Sequence, residues 1–200
     1  MKNLKLLTLL WFLLISWTLI GCTSNKPEVT EENTSTGDFI IEDITDQYNA
    51  AIDYNDKLVD LAAACINSEN DIWTAYDDEN SSTNDVQTAI SSTLNECNAI
   101  IEQINTLGDR EWDSSLKDGV IAIIEKDINY YSKFSELLPY LELENPTDEE
   151  AEASATILNE LDALDAELNE ANANLVTLQA EFAANHWYEL EEWSAEEVAE

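Results

Sequence analysis

From Ile40 onward, apolar residues return every three or four positions, which is the repeat of one face of an α-helix and not the every-second-residue alternation of a strand. Four segments share this rhythm. The first carries Ile44, Tyr48, Ala51, Leu58, Ala62, Cys65, Ile72 and Tyr76, with polar Asn55 and Glu69 falling in the same register. The second runs through Val86, Ile90, Thr93, Cys97, Ile100, Ile104 and Leu107 and is widened by Leu94 and Ile101. The third is broad, with Leu116, Val120, Ile123, Ile124, Tyr130, Tyr131, Phe134, Leu137 and Leu138. The fourth is the most regular: Ile157, Leu161, Leu164, Leu168, Ala171, Leu175, Leu178 and Phe182 alternate spacings of four and three, a heptad seam. The wider faces suit the interior of a bundle better than an isolated two-stranded coil.

The interruptions fall where helix ends belong. Asp77 to Asp85 is a polar run, Leu107-Gly108-Asp109 is a glycine stop, and Asn145-Pro146-Thr147 followed by Asp148, Glu149 and Glu150 is a helix start. Thr147 is the expected cap, and Glu150 three residues on completes a capping box. Pro139 is expected to end or kink the third helix near Leu138. Glycine occurs only four times and strand-like alternation is absent, so sheets are not expected. The pattern predicts an all-α fold: an antiparallel up-down-up-down four-helix bundle with coiled-coil-like packing over residues 40–190, with an acidic tail at 191–200.

Ahead of the helical part, Lys2 and Lys5 precede an apolar run from Leu6 to Ile20, and Leu19-Ile20-Gly21-Cys22 closes it. A short basic region, an apolar segment and a small residue at the cleavage position are the parts of an export signal. Leu19 fits an ordinary secretory cleavage site poorly, whereas Leu-Ile-Gly-Cys resembles a bacterial lipobox. The resemblance implies that residues 1–21 are removed and that Cys22 becomes a lipidated first residue. Two or three acyl chains anchor a protein stably, since each buried methylene contributes about 0.8 kcal/mol. The alternative is an uncleaved membrane anchor, because the run is only slightly shorter than the roughly 20 residues that span a bilayer. Residues 22–39 then read as a flexible tether rich in Thr, Glu, Asn and Ser. Thr23, instead of Asp, after the lipidated Cys points to the outer membrane or cell surface if the organism has two membranes.

Charge narrows the partners. The chain holds 43 acidic and 8 basic residues, a formal charge of −35 that becomes about −37 once Lys2 and Lys5 leave with the signal. Such a surface repels nucleic acid and anionic head groups and attracts cations non-specifically. Crowded carboxylates of this kind also make the folded state hold protons more tightly than the unfolded chain, so stability is expected to rise as pH falls from neutrality. A hydrophobic share of 44% argues against disorder and leaves room for one domain.

Lipidation of Cys22 leaves Cys65 and Cys97 as an even pair in an oxidising compartment. They lie at nearly equal distances from the turn near Asn80 and Ser81, level on antiparallel helices and on both core seams. A disulfide fits this placement. Two buried free thiols, acting as small apolar residues, are the alternative.

Catalytic signals are sparse. His186-Trp187-Tyr188-Glu189 puts an imidazole and a carboxylate one turn apart, a spacing that can ligate a metal. Exported helical proteins of the imelysin group carry such a motif, and that resemblance implies a metal-binding or metallopeptidase alternative at His186 and Glu189. Those proteins are much longer, and His186 is the only histidine here. A di-iron bundle needs histidines on two helices. The Asp77 to Asp85 run lacks the glycine and glutamate of a calcium loop, having Ser82 and Thr88 there. No cofactor is expected. Tyr54-Asn55-Asp56-Lys57-Leu58-Val59 and Gln179-Ala180-Glu181-Phe182-Ala183 resemble paired marks of an uncharacterised family of bacterial surface lipoproteins, which implies a lipid-anchored helical bundle with no assigned activity. The sequence reading is therefore a non-enzymatic interaction or structural protein of the cell envelope, held to a membrane through Cys22, with an unidentified protein partner.

Overall fold

The computed structural model describes residues 38–108 and 115–186. Four α-helices account for nearly all of them, and no strand occurs among the described residues: α1 Asp38–Asp77, α2 Thr83–Thr106, α3 Ser115–Leu141 and α4 Asp148–Asn185. The all-helical class read from the three-and-four spacing holds. α1 begins two residues before Ile40, so Asp38 and Phe39 of the expected tether are helical. The signal segment, the rest of the tether and the acidic tail lie outside the described residues.

Each boundary has a local cause. Ser82 caps α2, its hydroxyl accepting from the Asp85 backbone N–H at 3.3 Å while Asp85 accepts from the Ser82 backbone N–H at 2.8 Å. Thr147 and Glu150 form the same reciprocal pair ahead of α4, at 3.3 and 2.8 Å. Each box satisfies amide donors that a helix start otherwise leaves open, a contribution of about 1 kcal/mol. Both acids stay ionised further into the acid range than usual, because Ser82 and Thr147 hydrogen-bond the charged form. α2 stops at Leu107, and Gly108 follows with φ +75°, a left-handed conformation that glycine adopts without a Cβ penalty.

Pro139 does not end α3, which runs through it to Leu141. Proline removes the hydrogen bond to the Ser135 carbonyl and crowds it. That bond is among the last of the helix, and Leu137 and Leu138 immediately before it are each 2% exposed. Their burial holds the final turn in place.

The chain resolves into two compact units. One comprises residues 38–59 and 176–186; the other is Asp60–Leu175. Within the larger unit, neighbouring helices run in opposite senses. Cys65 bonds Cys97, and Thr93 donates to the Ser68 carbonyl at 2.9 Å, pairing rising numbers in α1 with falling numbers in α2. α2 and α3 pack along one another, and the Thr83 hydroxyl at the start of α2 donates to Glu142 just beyond the end of α3. Lys126 meets Glu167 at 2.7 Å and Lys133 meets Glu160 at 2.8 Å, which sets α3 against α4 in opposite senses.

The core of this unit is the predicted set of seams. Ile72, Ile90, Ile104, Leu116, Val120, Ile124 and Leu137 are fully enclosed. On the part of α4 in this unit, every seventh seam residue, Leu161, Leu168 and Leu175, is buried, while Ile157, Leu164 and Ala171 are half-exposed. The heptad therefore presents one row inward more fully than the other. In the smaller unit, Ala51, Leu58, Phe182 and Ala183 are buried, and the rings of Tyr54 and Phe182 lie 6.2 Å apart. Asn55 and Gln179 of this unit are completely enclosed as well.

Candidate functional site

The residues singled out by sequence fall in different places. Cys22 and Glu189 lie outside the described residues. Cys65 and Cys97 are bridged, with Cα atoms 5.0 Å apart, and the pairing on adjacent antiparallel helices is the one the spacing predicts. The Ser68 hydroxyl packs 3.9 Å from the Cys97 sulfur and donates to the Cys65 carbonyl at 2.7 Å, closing the polar surroundings of the bridge. His186 follows the last turn of α4, its ring 4.6 Å from that of Phe182, with Nε2 buried. Among the described residues, no group of three or more His, Cys, Asp or Glu side chains is placed to hold a metal ion.

The larger unit instead brings together a constellation that the sequence reading did not assemble: Glu69 and Trp73 from α1, with Asp127, Tyr130 and Tyr131 from α3. Glu69 and Trp73 are one turn apart on one helix face, as are Asp127 and Tyr131 on the other. The Tyr131 hydroxyl donates to Glu69 Oε2 at 2.7 Å, and the Trp73 indole N–H, which can only donate, hydrogen-bonds the Tyr131 hydroxyl. Trp73 packs against Tyr131 at 6.3 Å and Phe134 at 5.7 Å, so the polar relay is roofed by rings.

Glu69 and Asp127 are 4% and 3% exposed. Glu69 Oε1 and Asp127 Oδ1 receive no hydrogen bond. Burial, then the neighbouring Asp127 charge, push the Glu69 carboxyl well above the usual carboxylate range, against a smaller opposing pull from the Tyr131 hydroxyl. Burial pushes Asp127 up to about 7. Burial and the adjacent Glu69 likewise hold Tyr131 protonated far beyond its ordinary range. Tyr130 is raised by burial and by Asp165, Asp162 and Glu69. Two carboxyl groups that share a dry site cannot both ionise cheaply, so they divide protons unequally.

Glu69 was visible in the sequence as a polar residue in register, but Asp127 was not. Its signal was available: Asp127 lies four residues after Ile123 and four before Tyr131, inside the buried stripe of α3. Chemically the arrangement can hold and release a proton. Comparison with protein-family profiles, curated proteins and solved structures finds no match for the chain.

Proposed function

We propose that this protein is exported and lipid-anchored through Cys22, and that it serves at the cell envelope as an acidic, non-enzymatic interaction or structural module. Its helices close as an antiparallel up-down-up-down four-helix bundle with coiled-coil-like packing, the arrangement to which the three opposed helix pairings of the larger unit extend. The observation that carries the reading is Leu19-Ile20-Gly21-Cys22 placed directly after the apolar run and the two lysines. The Cys65–Cys97 bridge supports it independently, because such bonds persist in oxidising compartments outside the cytosol. The strongly negative surface favours a protein partner over nucleic acid or anionic lipid, with cations gathered non-specifically. The residue after the anchor, Thr23, favours the outer membrane or surface where two membranes exist, and the Tyr54–Val59 and Gln179–Ala183 marks agree with a surface lipoprotein family.

The test is metabolic labelling of the full chain with an alkyne fatty acid, followed by membrane fractionation. The wild-type chain is expected to be labelled, shortened and membrane-bound. Cys22→Ser is expected to remain at full length and unlabelled. Equal labelling of both proteins would refute the anchor.

A further inference from the structure

We propose that Glu69 and Asp127 hold a single proton between them, forming a pH-responsive lock that joins α1 to α3 inside the larger unit. The argument begins with unfilled acceptors. An ionised carboxylate can only accept hydrogen bonds. Here Glu69 Oε1 and Asp127 Oδ1 both lack a donor, on residues that are only 4% and 3% exposed. A proton on either carboxyl turns that group from an acceptor into a donor and removes its charge from the core. The charge of the pair is thereby halved. The remaining negative charge is supported through Glu69 Oε2 by the Tyr131 hydroxyl, which is itself backed by the Trp73 indole.

The surroundings supply no other remedy. From α1 comes the indole of Trp73, and from α2 come Thr93, which donates to the Ser68 carbonyl, and Cys97, which is bridged and does not titrate. From α3 come the neutral hydroxyls of Tyr130 and Tyr131. α4 adds only negative charge, through Asp162 and Asp165 beside Tyr130. The lysines of α3 near this level, Lys126 and Lys133, are engaged outward with Glu167, Glu136 and Glu160. Lys117 lies nearly three turns back along α3, about 15 Å away by helical rise.

The direction of the pH effect follows from tighter proton binding in the folded state. The stabilisation is complete below the ordinary carboxylate range and is lost as pH rises through the folded values of the pair, about 7 for Asp127 and well above the usual carboxylate range for Glu69. When the shared proton leaves for water, two charges face each other in the core and α1 and α3 are pushed apart. Surface carboxylates work in the same direction, but salt separates the two effects. At 1 M salt the Debye length is about 3 Å, which screens exposed charges and acts much less on a buried pair.

The experiment is a series of thermal melts of the chain lacking its signal, from pH 5 to 8 in 1 M sodium chloride. The wild-type midpoint is expected to fall by about 5 °C or more across that range. Asp127→Asn supplies a permanent donor and is expected to lose less than half as much. Glu69→Gln/Asp127→Asn is expected to be nearly flat, whereas the exposed Glu125→Gln keeps the wild-type slope. Carbon-13 NMR of the wild-type carboxyl groups reads the proton directly, whatever the variants do to folding. Two linked resonances that together release one proton near or above neutrality are expected. Both carboxyl carbons fully ionised at pH 5 would overturn the proposal. So would a midpoint at pH 8 raised by millimolar calcium or magnesium in the wild type but not in Asp127→Asn, because a cation would then take the place of the proton.

Discussion

Removing the Cys65–Cys97 bridge is expected to lower the unfolding free energy by about 3–4 kcal/mol. The bond closes a loop with a sequence separation of 32, and the folded chain already holds the two residues level through the α1–α2 hairpin. The stabilisation therefore arises chiefly because the unfolded chain loses conformational freedom, and it follows the logarithm of loop length. Cys65→Ala/Cys97→Ala and reduced wild-type protein should agree, since the two side chains are 0% and 2% exposed and alanine leaves only a small void. Urea titration measures the effect, and the slope of free energy against urea should increase because an unlinked chain exposes more surface on unfolding. A loss below about 1 kcal/mol, with an unchanged slope, would show that the unfolded state stays compact without the bond.

What the sequence disclosed and what it concealed divide along a physical line. Periodic burial is additive and local, so Val86, Ile90, Ile100 and Ile104, or Leu161, Leu168 and Leu175, declare their helix faces without knowledge of the neighbours. Caps are local as well, and Thr147 with Glu150 could be read from four consecutive residues. The bridge needed only one further assumption, that α1 and α2 form a hairpin about the Asn80 turn. The run of α3 past Pro139 was not legible, because the local penalty is outweighed by the burial of Leu137 and Leu138, which depends on the rest of the core.

The acid pair was hidden for a related reason. In a chain with 43 acidic residues, one more aspartate carries no compositional signal. Only its place in the stripe between Ile123 and Tyr131 marks it as interior, and only the fold brings it to Glu69, 58 positions away in the numbering. The same is true of Gln179, enclosed one turn after Leu175 and one residue off the heptad seam. Polar residues at buried positions work against stability unless they are satisfied, so such positions are where a pattern-based reading and the assembled structure part company.

Trp73→Ala is expected to cost about 3–5 kcal/mol, the range for deleting a large buried aromatic side chain. The indole is 8% exposed and meets Tyr76 edge-on at 6.0 Å, Tyr131 at 6.3 Å and Phe134 at 5.7 Å. It thus joins α1 to α3 through the rings of Tyr131 and Phe134. Tyr76 and Phe134 also meet each other at 5.8 Å, so removing the indole opens a void in a closed cluster that cannot easily collapse. The indole has a second task, since its N–H supports the Tyr131 hydroxyl that donates to Glu69. Trp73→Phe separates the two: it keeps most of the ring contact and removes the donor, and should cost only about 1–2 kcal/mol from the lost hydrogen bond and reduced volume. The difference should also depend on pH. With less support for the charge on Glu69, the phenylalanine variant should bind the shared proton more tightly, so its deficit relative to the wild type should grow as pH rises from 5 to 8. Urea unfolding of the three proteins at both pH values provides the measurement. Equal costs for Trp73→Ala and Trp73→Phe would show that the N–H, and not the ring packing, holds this part of the core; a Trp73→Phe deficit independent of pH would show that the indole does not act on Glu69 through Tyr131.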